Sequence, residues 1–132
     1  MKILQTSFYN PLKEEGGGVE QVIYNLTKNL SQFGHKVDIT CIGNEDTVIN
    51  TKYGKLITFR VSEFKPFGRV SIFARKAAYN HKLREFIKEN GDNYDIIHIH
   101  GDMGGFEELS KFNTILTLHG FSIQAYEDRN IR

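Results

Sequence analysis

Three stretches of this 132-residue chain carry groups whose type and spacing could do chemistry. Gly16-Gly17-Gly18 stands directly before Val19, Val22, Ile23, Leu26, Leu30 and Phe33, apolar residues recurring three, four or seven apart. That spacing draws one apolar stripe down a helix. Glycine has no Cβ, so a ligand can come close to its backbone. The first amides of a helix have no partner within it, and together with the glycines they offer a site for a phosphate or another anion. The plainer account is a mobile turn, against which stands the backbone entropy that three successive glycines cost. His98 and His100 lie two apart in an apolar run, hence on one face of a strand, and Asp102 follows closely. These residue types can ligate a metal, but a central strand is covered on both faces, so hydrogen-bonded interior histidines without a metal are the expectation. His119 closes the run Thr114-Ile115-Leu116-Thr117-Leu118, and Gly120 clears space beside it. An imidazole at a strand end can hold a sugar hydroxyl or support a developing charge; it can equally just pack there, and the residues alone leave both open.

The elements that must position these groups alternate. Lys2 to Ser7 has the length of a strand, and Phe8 to Glu15 forms a loop leading to the glycines. The first helix is expected over about Val19 to Phe33, with Gly34 where a C-terminal cap needs a left-handed residue. His35 to Ile42 alternates and predicts a second strand; Gly43 to Asp46 is a turn, and Thr47 to Asn50 extends or pairs locally. Leu56 to Val61 is the third strand. A connector broken by Pro66 and Gly68 leads to a helix from about Val70 to Glu89, striped by Ile72, Tyr79, Leu83, Phe86 and Ile87. Tyr94 to His100 is the fourth strand, a short helix is expected around Phe106 to Ser110, and Thr114 to His119 is the fifth strand.

Strands alternating with helices give a parallel sheet with both faces covered. Residues 1–132 are expected to form a single doubly wound, Rossmann-like α/β domain with strand order 3-2-1-4-5. Ligands in such sheets bind beyond the carboxyl ends of the strands. The glycines, His100 to Asp102, and His119 then share one rim. The dinucleotide fingerprint fails, because counting from Gly16 its third glycine falls at Gln21 and the loop from Phe8 to Glu15 is too long for the tight turn. No Gly-Lys-Ser/Thr follows the glycines, which excludes a P-loop. A phosphorylated receiver domain wants acids after its first strand, where this chain has Gln5-Thr6-Ser7.

Composition narrows the partners. The net charge of +1 gives no reason to expect nucleic acid. Between Arg60 and Arg84 seven basic residues meet one acid, Glu63, so that segment is +6 and the remainder −5. Such a run is usually a solvated helix face; the sharper reading is a surface for anionic lipid or an anionic acceptor. Cys41, the single cysteine, lies in an apolar run and reads as buried packing. No internal disulfide is possible, and a cytosolic location, reaching to the membrane surface if the basic segment meets lipid, is the expectation.

Four pieces in sequence carry a resemblance: Gly17-Gly18-Val19-Glu20 opening the first helix, Phe33-Gly34-His35-Lys36-Val37-Asp38-Ile39 into the second strand, Tyr94-Asp95-Ile96-Ile97-His98-Ile99-His100, and Leu116-Thr117-Leu118-His119-Gly120. From about Lys2 to Gly120 the chain resembles the N-terminal, acceptor-side domain of the family-4 retaining glycosyltransferases of GT-B fold. The resemblance implies a nucleotide-sugar donor held mainly by a second Rossmann-like domain, a saccharide or lipid-linked acceptor, and neither metal nor other cofactor. It also implies that Gly16, Gly17 and Gly18 approach the donor phosphates, that His119 contacts the donor sugar as the catalytic residue, and that Tyr9, His100 and Asp102 line the acceptor side. The paired glutamates and phosphate-binding Arg and Lys of the family's C-terminal domain have no counterpart here. The expectation is therefore half of an active site, inactive alone, with the apolar fifth strand as an edge that invites self-association. Two other classes remain beside it: a non-catalytic sugar- or phosphate-binding module of the same half-fold, and a nucleotide-binding Rossmann domain of another kind.

Overall fold

The computed structural model describes residues 1–13, 17–61, 70–101, 109 and 111–119, with the backbone alone at Val70 and Ser71. Its elements are β1 (Lys2–Thr6), α1 (Gly18–Gln32), β2 (Lys36–Gly43), β3 (Thr47–Asn50), β4 (Lys55–Arg60), α2 (Val70–Asn90), β5 (Ile96–His100) and β6 (Thr114–Thr117), with a 3-10 turn over Gly91–Asn93. The sheet order is β3-β4-β2-β1-β5-β6. The strands expected as third, second, first, fourth and fifth are β4, β2, β1, β5 and β6, all parallel and in the expected order. The structure adds an edge: Thr47–Asn50 doubles back antiparallel on β4, with Thr47 opposite Thr58 and Asn50 opposite Lys55. β6 is also shorter than expected, ending at Thr117 and leaving Leu118 and His119 beyond the ladder. The short helix expected at 106–110 lies outside the described residues apart from Leu109, as do the connector at 62–69, Gly16, Asp102 and the tail from Gly120.

The alternation of each strand divides the core between two faces. On one, Leu4, Ile57, Phe59, Ile97 and Ile99 are covered by Tyr79, Leu83 and Ile87 of α2, together with Leu109 and Phe112. Burying each such aliphatic side chain contributes about 1.5–3 kcal/mol relative to leaving it in water. Of the stripe expected on α2, Ile72 departs, being half-exposed near the helix start. On the other face Val37, Ile39, Cys41 and Leu56 pack with Leu12 and with Leu30 of α1. Cys41 is fully buried and its thiol is pushed up to about 12 by that burial, so it is an inert core residue.

α1 ends as its sequence foretells. Gly34 adopts φ +89, its amide donates to the Ser31 carbonyl, and the His35 amide reaches back to the Leu30 carbonyl. This pair of bonds is the Schellman closure, and the left-handed φ is why glycine stands there. The turn delivers the chain into β2 beside β1.

Two polar knots lock the sheet at opposite ends. Near the amino ends of the strands, buried Asp38 accepts from the Lys55 amide at 2.8 Å and from the Tyr94 hydroxyl at 2.7 Å. Near the carboxyl ends, the buried Tyr79 hydroxyl donates to the Ser7 carbonyl at 2.6 Å and lies 3.1 Å from Thr40 Oγ1. The bond to the Ser7 carbonyl fixes where the chain leaves β1, and the Tyr79 ring packs edge-on to Phe8 at 5.5 Å. Tyr79→Phe deletes the hydroxyl and leaves the Ser7 carbonyl without this partner, so urea denaturation should show a loss of about 1–3 kcal/mol with an unchanged m-value.

Candidate functional site

All five parallel strands point their carboxyl ends at one rim, and α1, which follows β1, begins there too. Three groups of side chains and backbone meet at this rim.

The first is the start of α1. Gly17 is the N-cap, with φ −74 and ψ −167, and its carbonyl accepts from the Gln21 amide. Positive φ occurs among the described residues only at Gly34 and Gly101, so Gly17 and Gly18 do not need glycine for conformation. What they supply is room: a Cβ on Gly18 would meet nothing within 4 Å. A Cβ on Gly17 would lie 3.2 Å from Oε2 of Glu20. The Glu20 carboxylate thus lies beside the helix start, where it complements the dipole, and among the described residues it makes no capping hydrogen bond to the first amides.

The second group is Tyr9, about half exposed on the loop after β1, with its ring edge-on to Phe8 at 4.8 Å. The Ser7 hydroxyl donates to the Tyr9 carbonyl, so the loop is tied to the end of β1.

The third group is a column of imidazoles. Ladder register puts Gln5 opposite His98, and His98 and His100 opposite Ile115 and Thr117. Side chains two apart share a face, so Gln5, His98, His100 and Thr117 all stand on the α1 side of the sheet. The rings of His98 and His100 stack with centroids 4.0 Å apart, and those of His100 and His119 with centroids 5.3 Å apart. His98 Nε2 lies 2.6 Å from Thr117 Oγ1. His100 uses both nitrogens within the protein: Nε2 lies 2.6 Å from Gln5 Oε1 and Nδ1 lies 3.0 Å from His119 Nε2. Its own amide donates to Thr6 Oγ1. Gly101 then takes φ +97 and donates its amide to the Thr117 carbonyl, closing β5 against β6.

Sequence reasoning had singled out His98, His100 and His119 without seeing that they touch. The expected interior, hydrogen-bonded character of His98 and His100 describes their bonds, although both are only half-buried. His100, expected to face the acceptor, has both ring nitrogens spent inside the protein. Gln5, Thr6 and Thr117 were missed. The signal was present in the fully buried amide of Gln5 within an apolar strand, but reading it requires the register. Among the described residues no group of three or more His, Cys, Asp or Glu side chains could hold a metal. An open groove of about 630 Å³ lies on the opposite face, between α2 and the β3–β4 edge, and none of the expected site residues lines it.

Burial disfavours the charged form of His98 and His100. Burial, with the neighbouring His98 and His119 rings, pushes His100 down to about 3, and burial with His119 lowers His98. The unfolded chain binds protons at these residues near the ordinary value of 6.5, whereas the folded chain does not. Folded stability from this source is therefore complete above about pH 6.5 and is lost as pH falls toward 3. The thermal midpoint should fall between about pH 7.5 and pH 5, and His100→Gln should flatten that fall. Equal slopes in the two proteins, followed by circular dichroism, would show that His100 carries no such linkage.

The profile of Glycosyltransferase Family 4 matches residues 16–131. Among solved structures, a sucrose-phosphate synthase from Thermosynechococcus elongatus superposes with a TM-score of 0.66 at 19% identity, covering 96% of this chain and 35% of that one. A second structure of that synthase gives 0.59 at 17% identity, covering 99% of this chain and 68% of the other. The C-terminal domain of a hydrogenase from Pyrococcus furiosus gives 0.61 at 21% identity, covering 89% of each chain. The chain thus spans about a third of the longer synthase structure, and at these identities the likenesses speak to the fold. No curated protein sequence matches the chain.

Proposed function

This chain belongs to glycosyltransferase family 4, and from that premise we propose that it is the N-terminal, acceptor-side domain of a retaining glycosyltransferase of GT-B fold. The reaction moves a sugar from a nucleotide-sugar donor to a saccharide or lipid-linked acceptor. A second Rossmann-like domain holds the nucleotide across a cleft, and the rim described above forms this side of it. No metal or other cofactor takes part; nucleotide sugar and acceptor are both substrates.

The observation that carries this reading is His119, just past the end of β6 and bonded through His100 to the buried Gln5. As the nucleotide leaves, positive charge develops at the sugar's anomeric centre and negative charge on the departing phosphate. A neutral imidazole held from behind can fix a sugar hydroxyl without opposing that positive charge. Glycines 16 to 18 take the phosphate side, with Glu20 moving off the free amides of Gly17 and Gly18 to admit it. Tyr9 presents an aromatic ring to the acceptor, and Asp102 is the other residue assigned to the acceptor side. His100 serves the site from beneath.

The test is a screen of nucleotide sugars for hydrolysis and transfer by a protein joining this chain to a donor-binding domain. His119→Ala should lower turnover by about 10²-fold or more while the thermal midpoint stays within a few degrees of the parent. His81→Ala, on the exposed side of α2, should keep full turnover. If His119→Ala kept full turnover too, the rim would be a binding surface without a catalytic part in the transfer.

A further inference from the structure

We propose that Gln5 and His100 are positioning residues that hold His119 in its Nε2–H tautomer, so that the nitrogen it offers a ligand, Nδ1, is a hydrogen-bond acceptor. The site then takes a hydroxyl group, which can donate, and turns away a phosphate or carboxylate oxygen, which cannot.

The polarity follows bond by bond from the buried end. Gln5 is fully buried in β1, and its Oε1 faces His100 Nε2 at 2.6 Å. A carbonyl oxygen only accepts, so the hydrogen is on His100 Nε2. A neutral imidazole carries one N–H, which leaves His100 Nδ1 bare. That bare nitrogen faces His119 Nε2 at 3.0 Å, so the hydrogen between them is on His119. In its neutral form His119 then carries its single N–H on Nε2 and has a bare Nδ1. The surroundings oppose a second proton on His100. The groups bonded to or stacked on it from β1 and β5, and from beyond β6, are Gln5, Thr6, His98 and His119. None of them is an anion, and burial holds the ring neutral. The chain of bonds has one alternative polarity. If the Gln5 amide presented its nitrogen instead, every hydrogen would reverse and His119 would offer Nδ1–H, a donor. The amide of Gln5 thus sets the chemistry of a ring it does not touch.

What the bare nitrogen would bind rests on the reading of His119 as a sugar contact; the tautomer itself does not, and it can be read without substrate. The experiment is long-range ¹H–¹⁵N correlation on the ¹⁵N-histidine-labelled 132-residue chain near neutral pH, with single substitutions of the five histidines for assignment. The expected result is Nε2 protonated and Nδ1 unprotonated on both His100 and His119. His100→Phe keeps a flat ring between His98 and His119 but removes both nitrogens, and in it His119 should relax to an exchanging mixture of tautomers. Nδ1–H on either ring in the parent, or an unchanged tautomer of His119 in the folded variant, would overturn the proposal. Should the variant not fold, the parent spectrum alone decides. Loss of transfer activity on His119→Ala with the wrong tautomer would sink this inference and leave the transferase reading standing. The right tautomer with no transfer on any nucleotide sugar would do the reverse.

Discussion

The parallel, in-register pairing of β5 between β1 and β6 is the constraint on which the rim depends. Gln5, His98, His100 and Thr117 come from three strands that are distant in the chain, and only this register sets them on one face. Side chains alternate with a period of two, so a slip of one residue between β5 and β6 would send Thr117 to the α2 face and part His119 from His100. The pairing is held beyond the strands themselves. The Ile97 amide donates to the Asn113 carbonyl at one end, and the Gly101 amide donates to the Thr117 carbonyl at the other, both at 2.9 Å.

That sheet is in turn fixed by groups far from the histidines. Asp38 and Tyr94 tie the amino ends of β2, β4 and β5, while Tyr79 ties α2 to the exits of β1 and β2. A buried polar group left unpaired costs about 1–3 kcal/mol, so each knot favours one arrangement of the elements over its neighbours. Burial on the two sheet faces supplies most of the stabilisation; the polar contacts decide which side chains reach the rim and how they are oriented. The Gln5 amide nitrogen, buried and without a partner, is the one place in the column where that accounting does not close.

Much of this was legible in the sequence, for local reasons. The helical spacing from Val19 to Phe33, the glycine at 34 and the alternation of strands with helices depend on residues close in the chain, and each gave the element and cap that the structure has. Strand order followed from handedness and connection length, which are also generic. The antiparallel β3 was less clear, because four residues with a turn on either side carry little periodic signal. The imidazole column was out of reach for a different reason. His119 and His100 are brought together by pairing between strands, and nothing within either strand encodes it. The Glu20 carboxylate beside Gly17 was not foreseen, because side-chain rotamers at a helix start are not encoded in spacing.

The most direct measurement is a crystal structure of a protein joining this chain to a donor-binding domain, with a nucleotide sugar bound. The predicted result places a hydroxyl of the donor sugar within hydrogen-bonding distance of His119 Nδ1, with the bonds from His119 through His100 to Gln5 intact, the donor phosphates near the Gly17 and Gly18 amides, and Glu20 displaced. A sugar bound away from this rim, with His119 turned inward as packing, would contradict it.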